Sequence, residues 1–159
     1  MNRREFLKTS ILGGSAAGLL AFQPDDRPVP YIPGHVESTD PLWGILHGAK
    51  VTIDDKRGLM TAEFTDVIKK LDGEIFTIGG FILPIDSKPK FSHFILTRRN
   101  SSCPFCPPNE PTEAIEIFAT QALEYTPNDV TITGKMKLVA ESDAGLFYQL
   151  SDAIVRSEE

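Results

Sequence analysis

Cysteine is scarce, with two among 159 residues. That excludes a disulfide-dense scaffold and a four-cysteine zinc site. Histidine is nearly as rare: His35, His47 and His93 are all there are, and no two stand at a metal-ligand spacing. Positive charge is short as well, with 16 Lys and Arg against 22 Asp and Glu and a net charge of -6. The first 22 residues hold Arg3, Arg4 and Lys8 against Glu5, so the remainder carries -8. An acidic body repels phosphate backbones, which argues against nucleic acid as a partner. Motifs for common chemistry are missing too. There is no Gly-x-Ser-x-Gly around a nucleophile. Gly79-Gly80 is followed by neither a basic residue nor a helix start, so it is no phosphate loop. Asp54-Asp55-Lys56-Arg57-Gly58 lacks a full calcium ligand set and reads as a turn. Ser10 to Phe22 is an apolar stretch too short to span a bilayer unaided. Charged residues at 24% and hydrophobic residues at 41% remain near the globular average, so the chain can fold around one core.

What is present begins at the N-terminus. Arg3, Arg4, Phe6, Leu7 and Lys8 match a twin-arginine export signal, and the glycine-diluted apolar stretch to Phe22 completes it. Residues 1–22 therefore read as the signal segment. No clear cleavage site follows, so removal or N-terminal anchoring both stand open. Residues 23–41 carry Pro24, Pro28, Pro30, Pro33 and Pro41, a density that favours an extended linker. The expected location is the periplasm or another extracytoplasmic space.

Residues 42–156 read as one β-rich domain with short helices. Asp40 is placed to cap a short turn of helix carrying Leu42, Trp43 and Leu46. Phe64, Val67, Ile68 and Leu71 recur at helical spacing, with Thr65 or Asp66 as cap and Gly73 as the left-handed residue after the end. Past Gly73 the period switches to two. Strands are expected over 74–83, 91–97, 114–119, 129–139 and 146–155, with a helix over 112–123 as a rival to the third. The paired Gly79 and Gly80 mark a bend in the first strand. Val130, Ile132, Gly134, Met136 and Leu138 form a buried face, and Thr131, Thr133, Lys135 and Lys137 the wet one. Five such strands suit a small closed or partly open barrel. Glu113 and Glu116 read as solvated positions, not an acid/base couple.

Local patterns add a resemblance. Trp43-x-x-Leu46, Val67-Ile68-x-x-Leu71-Asp72-Gly73, Gly80-Phe81-Ile82-Leu83-Pro84 and Phe94-Ile95-Leu96 come first. Cys103-Pro104-Phe105-Cys106 before Pro107-Pro108, Val130-x-Ile132-x-Gly134 and Gly145-Leu146-x-Tyr148-x-Leu150 follow. In this order they resemble a family of small bacterial exported proteins of unknown function with an OB-like barrel, over roughly Leu42 to Val155. The resemblance implies a five-stranded OB-like barrel with short helices, classed as mainly β (α+β). Some members lie near ABC-type transporter components linked to metal supply. No catalytic residue set comes with the likeness.

Cys103 and Cys106 are the one pair with chemical promise. They can be a structural disulfide, two metal ligands or a redox dithiol. Pro107 and Pro108 oppose the redox reading, because they would fall inside the helix that acidifies the first thiol. Zinc is the metal such a pair admits, and His93 is the candidate for a further ligand; no other cofactor is expected. His93 shares strand parity with Phe91 and Ile95. The functional expectation is an exported, non-enzymatic binding or accessory domain in the cell envelope. Its partners would be the twin-arginine translocase during export, then a membrane transporter or another envelope protein, in metal handling. The alternative is an exported metal- or thiol-dependent enzyme centred on the cysteine pair.

Overall fold

The computed structural model describes residues 36–100 and 110–157. The residues expected to form an export signal, Arg3, Arg4, Phe6, Leu7 and Lys8, and the cysteines Cys103 and Cys106, lie outside that range. Among the described residues no helix is long and apolar enough to cross a membrane.

Helix α1 (Leu42–Leu46) opens the domain. The Asp40 carboxylate accepts the Leu42 N–H at 3.0 Å and fixes the chain's entry. Trp43 and Leu46 are buried from it. A hairpin of β1 (Lys50–Asp54) and β2 (Leu59–Glu63) follows. Its turn is the expected Asp54 to Gly58 segment, with Gly58 at φ +62. The flanking strands carry no clean alternation, and the sequence does not announce them. Helix α2 (Asp66–Lys69) is capped by the Thr65 hydroxyl, which accepts the Ile68 N–H at 3.4 Å. Gly73 stands beyond it at φ +81. Of its expected apolar face, Ile68 is buried and Phe64 and Leu71 pack against the core, but Val67 is 58% exposed. One turn of helix is too short for all four residues to reach the same neighbour.

The five expected strands are present as β3 (Ile75–Pro84), β4 (Lys90–Thr97), β5 (Ala114–Glu124), β6 (Val130–Leu138) and, after the two-residue β7 (Glu141–Ser142), β8 (Tyr148–Ser157). The third is a strand, not the rival helix. They close a barrel in the order β3-β4-β5-β8-β6, while β1, β2 and β7 form a separate small sheet. All barrel pairs are antiparallel except β5 with β8.

Strand β3 is shared between two neighbours. Ile75 to Gly80 pair with β6, and Phe81 to Pro84 pair with β4. The glycines sit at the handover, as their pairing in the sequence suggests. A Cβ on Gly80 would lie 2.7 Å from the Thr97 carbonyl oxygen, so only glycine permits that approach. On β6 the expected alternation holds: Val130, Ile132, Gly134 and Met136 are buried, Leu138 is half-buried, and Lys135 and Lys137 are exposed. Trp43, Phe94, Ile115, Ile117, Ile132, Met136, Tyr148 and Leu150 join one apolar cluster. The hydrophobic effect on these side chains is the main force holding the barrel shut.

The end of the proline-rich segment is tied to this barrel. Glu37 bridges Arg99. Ser38 is buried, its N–H donating to the Arg98 carbonyl at 2.8 Å.

Candidate functional site

A bulge decides where His93 points. The β4–β5 register shifts between Phe91 and His93, so the inside–outside phase resets there. Phe91 and Phe94 are buried and His93 faces out. The shared parity of Phe91 and His93 expected from sequence is thereby broken.

From that position His93 meets residues of two other strands. Its Nε2 lies 2.8 Å from Glu116 Oε1 on β5. Gln149 Nε2, on β8, donates to Glu116 Oε2 at 2.7 Å. The imidazole stacks on Phe118, with centroids 4.5 Å apart and planes 12° from parallel. The ladder explains the grouping: Ile95 pairs with Glu116, Glu116 with Gln149, and His93 with Phe118. Glu116 is only 16% exposed and the His93 side chain 47%. Glu116 is thus not the solvated carboxylate expected. Both its oxygens are engaged by neighbours that the closed barrel brings alongside.

This arrangement has definite chemical capacities. The carboxylate orients the ring and favours the tautomer that donates from Nε2. Nδ1 is then the nitrogen left to accept a hydrogen bond or ligate a metal. Stacked His93 and Phe118 offer an aromatic surface edged by polar groups.

A second cluster stands where the cysteine-bearing segment leaves and rejoins the barrel. Glu113 is also buried, against expectation. It accepts from Arg98 Nη1 at 2.9 Å, and its side chain is 6% exposed. Glu37 lies 2.9 Å from Arg99 Nε and 3.4 Å from Arg98 Nη2. Two arginines and two glutamates balance in charge, although Arg98 Nε and Arg99 Nε are buried without a hydrogen-bond partner among the described residues. Asn100, the last residue before the segment, donates to the carbonyls of Val36 and Pro127 at 2.8 and 3.2 Å. The consecutive arginines were the signal in the sequence, but their partners come from segments far away in the chain.

A polar cleft of about 420 Å³ is lined by Ser38, Thr39, Asp40, Pro41, Gly79, Asp129 and Thr131. Asp40 is committed there to structure, since its Oδ2 accepts the Gly79 N–H at 2.9 Å. His47 stands apart, with Nδ1 3.0 Å from the Thr112 hydroxyl. His93 does not meet His47, and no group of three or more potential metal-binding side chains occurs among the described residues. Along β4, His93 stands about 13 Å, at ~3.3 Å per residue, before Thr97 and the departure of the cysteine segment.

The fold and this surface define a small β-barrel domain with short helices and an oriented, exposed imidazole on its outer wall. No protein-family model and no curated protein matches the sequence. Among solved structures it is similar to a DUF3299 family protein from Pseudomonas aeruginosa PAO1, at 19% identity and a TM-score of 0.48, over 62% of this chain and 69% of that one.

Proposed function

We propose that the protein is an exported, non-enzymatic binding or accessory module of the cell envelope. It recognises another protein through the outer face of β4, β5 and β8. The observation that carries this reading is the His93–Phe118 stack braced by Glu116 and Gln149. Holding an exposed aromatic pair in one orientation lowers the entropy cost of docking a partner on it. The strand order, first-second-third-fifth-fourth around the barrel with a parallel third–fifth pair, supports the OB-like reading. In such barrels the face of the second and third strands is the customary ligand surface, and His93 and Phe118 lie on those strands. That support is an analogy of fold. The acidic body favours a protein over a nucleic acid, and the twin-arginine pattern favours an envelope partner such as a transporter in metal handling.

A photo-reactive residue at Ser92, exposed beside His93, tests the surface in intact cells. It should cross-link to one envelope protein, and His93→Ala should abolish the product while leaving the fold intact. The same probe at Asp55, in the β1–β2 turn, should give no product with that envelope protein. The Arg3→Lys, Arg4→Lys double variant should stay in the cytoplasm and lose the product with it. Equal cross-linking from both probes, or normal export of the double variant, would overturn the reading.

A further inference from the structure

Strand β1 is the open side of the small sheet. Among the described residues its strand neighbour is β2 alone. Natural edge strands are commonly blunted by a central charge, a proline or a bulge. The middle of β1 is Val51-Thr52-Ile53 and has none of these. Ile53 is 65% exposed, two residues along from Val51, which packs against the core. The only charges stand at the ends, Lys50 at one and Asp54 at the other.

We propose that β1 is a self-association edge, pairing antiparallel with β1 of a second copy of this chain about a two-fold axis at Thr52. In that register Lys50 faces Asp54 of the other copy at both ends, Val51 faces Ile53 twice, and Thr52 meets itself. The strand Lys-Val-Thr-Ile-Asp is therefore complementary to its own reverse. Opposite charges and β-branched residues directly across a ladder are both favourable. Any other antiparallel register separates Lys50 from Asp54. A parallel pairing in register sets lysine against lysine and aspartate against aspartate. The charge pattern thus selects both partner and register.

The groups needed are available. Lys50 has no ion pair among the described residues. Asp54 uses Oδ1 for the amides of Lys56 and Arg57, at 3.1 and 3.3 Å, within its own turn. That leaves Oδ2 to face an incoming lysine. Pairing joins the two three-stranded sheets into one of twice the width and covers Ile53. The ladder is five residues long, so its area falls below the roughly 1,200 Å² of a stable interface. The dimer is accordingly weak and dependent on concentration.

Sedimentation of the full chain over a wide concentration range, at moderate ionic strength, tests the proposal. The wild-type protein should pass from monomer to dimer. Lys50→Glu sets two carboxylate pairs across the edge and should weaken association at least tenfold. Asp54→Lys sets two amine pairs there and should do the same. An equimolar mixture of the two variants restores both attractive pairs and should dimerise as well as wild type. Lys50 is exposed, so Lys50→Glu folds and decides the question even if Asp54→Lys loosens the turn. A monomer at every concentration, a dimer unaffected by Lys50→Glu, or no recovery on mixing two folded variants would overturn it.

Discussion

Trp43 Nε1 donates to the carbonyl of Gly79 at 2.7 Å, across 36 residues of sequence. Ser38 Oγ donates to the same oxygen at 2.9 Å, and Asp40 takes the Gly79 N–H. At this point β3 has β6 on one side only, because pairing with β4 begins at Phe81. The segment before α1 fills that gap side chain by side chain. Trp43→Phe should therefore cost about 1–2 kcal/mol, the net value of one buried hydrogen bond plus some lost packing. Trp43→Ala should cost about 3–5 kcal/mol. Denaturant titration of both variants checks this, and a Phe variant as stable as wild type would show that the bond contributes nothing.

The two adjacent glycines should behave differently. A Cβ on Gly80 meets the Thr97 carbonyl at 2.7 Å and Leu96 Cγ at 3.0 Å. The backbone oxygen cannot swing aside, so Gly80→Ala should destabilise by about 1–3 kcal/mol. A Cβ on Gly79 finds its nearest atoms at 3.7 Å. Gly79→Ala should stay within about 0.5 kcal/mol of wild type. Thermal melts of the pair measure the contrast, and equal losses would place the close approach elsewhere.

Tyr148 joins the last strand to the first helix. Its hydroxyl donates to the Leu46 carbonyl at 2.6 Å, and the residue is fully buried. Burial disfavours the phenolate and raises the folded-state pKa above the ordinary tyrosine value. The unfolded phenol therefore ionises first, near pH 10. Above that pH the unfolded chain holds fewer protons than the folded one, so stability falls as pH rises. The contribution is fully present below pH 10. Tyr148→Phe should cost about 1–2 kcal/mol at neutral pH. It should also remove this part of the alkaline loss, so the gap between wild type and variant narrows above about pH 10. Parallel stability curves from pH 7 to 11 would mean that the phenol ionises equally in both states.

The barrel was legible because β6 alternates cleanly and because Gly79-Gly80 and Pro84 punctuate β3. The β1–β2 hairpin was not, since Val51, Ile53, Leu59 and Met60 lie at a fringe where neither face is fully covered. Without burial there is no period to read. The His93 surface was hidden for a different reason. An irregularity in the β4–β5 pairing, where Phe91 meets Leu123 but His93 meets Phe118, breaks the strand parity, and nothing in Phe91-Ser92-His93-Phe94 marks it. Glu113 and Glu116 look like ordinary surface carboxylates in sequence. Their partners Arg98, His93 and Gln149 reach them only through the closed barrel.

The state of Cys103 and Cys106 would separate the proposed binding module from its enzymatic alternative. From the sequence, their spacing is expected to let the sulfurs meet at small entropic cost, with Pro104, Pro107 and Pro108 restricting the chain around them. An oxidising compartment favours closure of such a pair. The described residues on either side of the segment are held by Asn100 and by the Arg98–Glu113 pair. Protein isolated from the envelope should therefore show no free thiol, no stoichiometric metal and, after reduction, ordinary thiol reactivity with a pKa near about 8.5. Thiol counting, elemental analysis and the pH dependence of alkylation decide this on one sample. Stoichiometric zinc lost on Cys103→Ser would make the pair a ligand set, and the protein a metal carrier or metalloenzyme. A Cys103 thiol ionising well below the free value would make it a dithiol oxidoreductase. Either result would displace the proposed surface recognition.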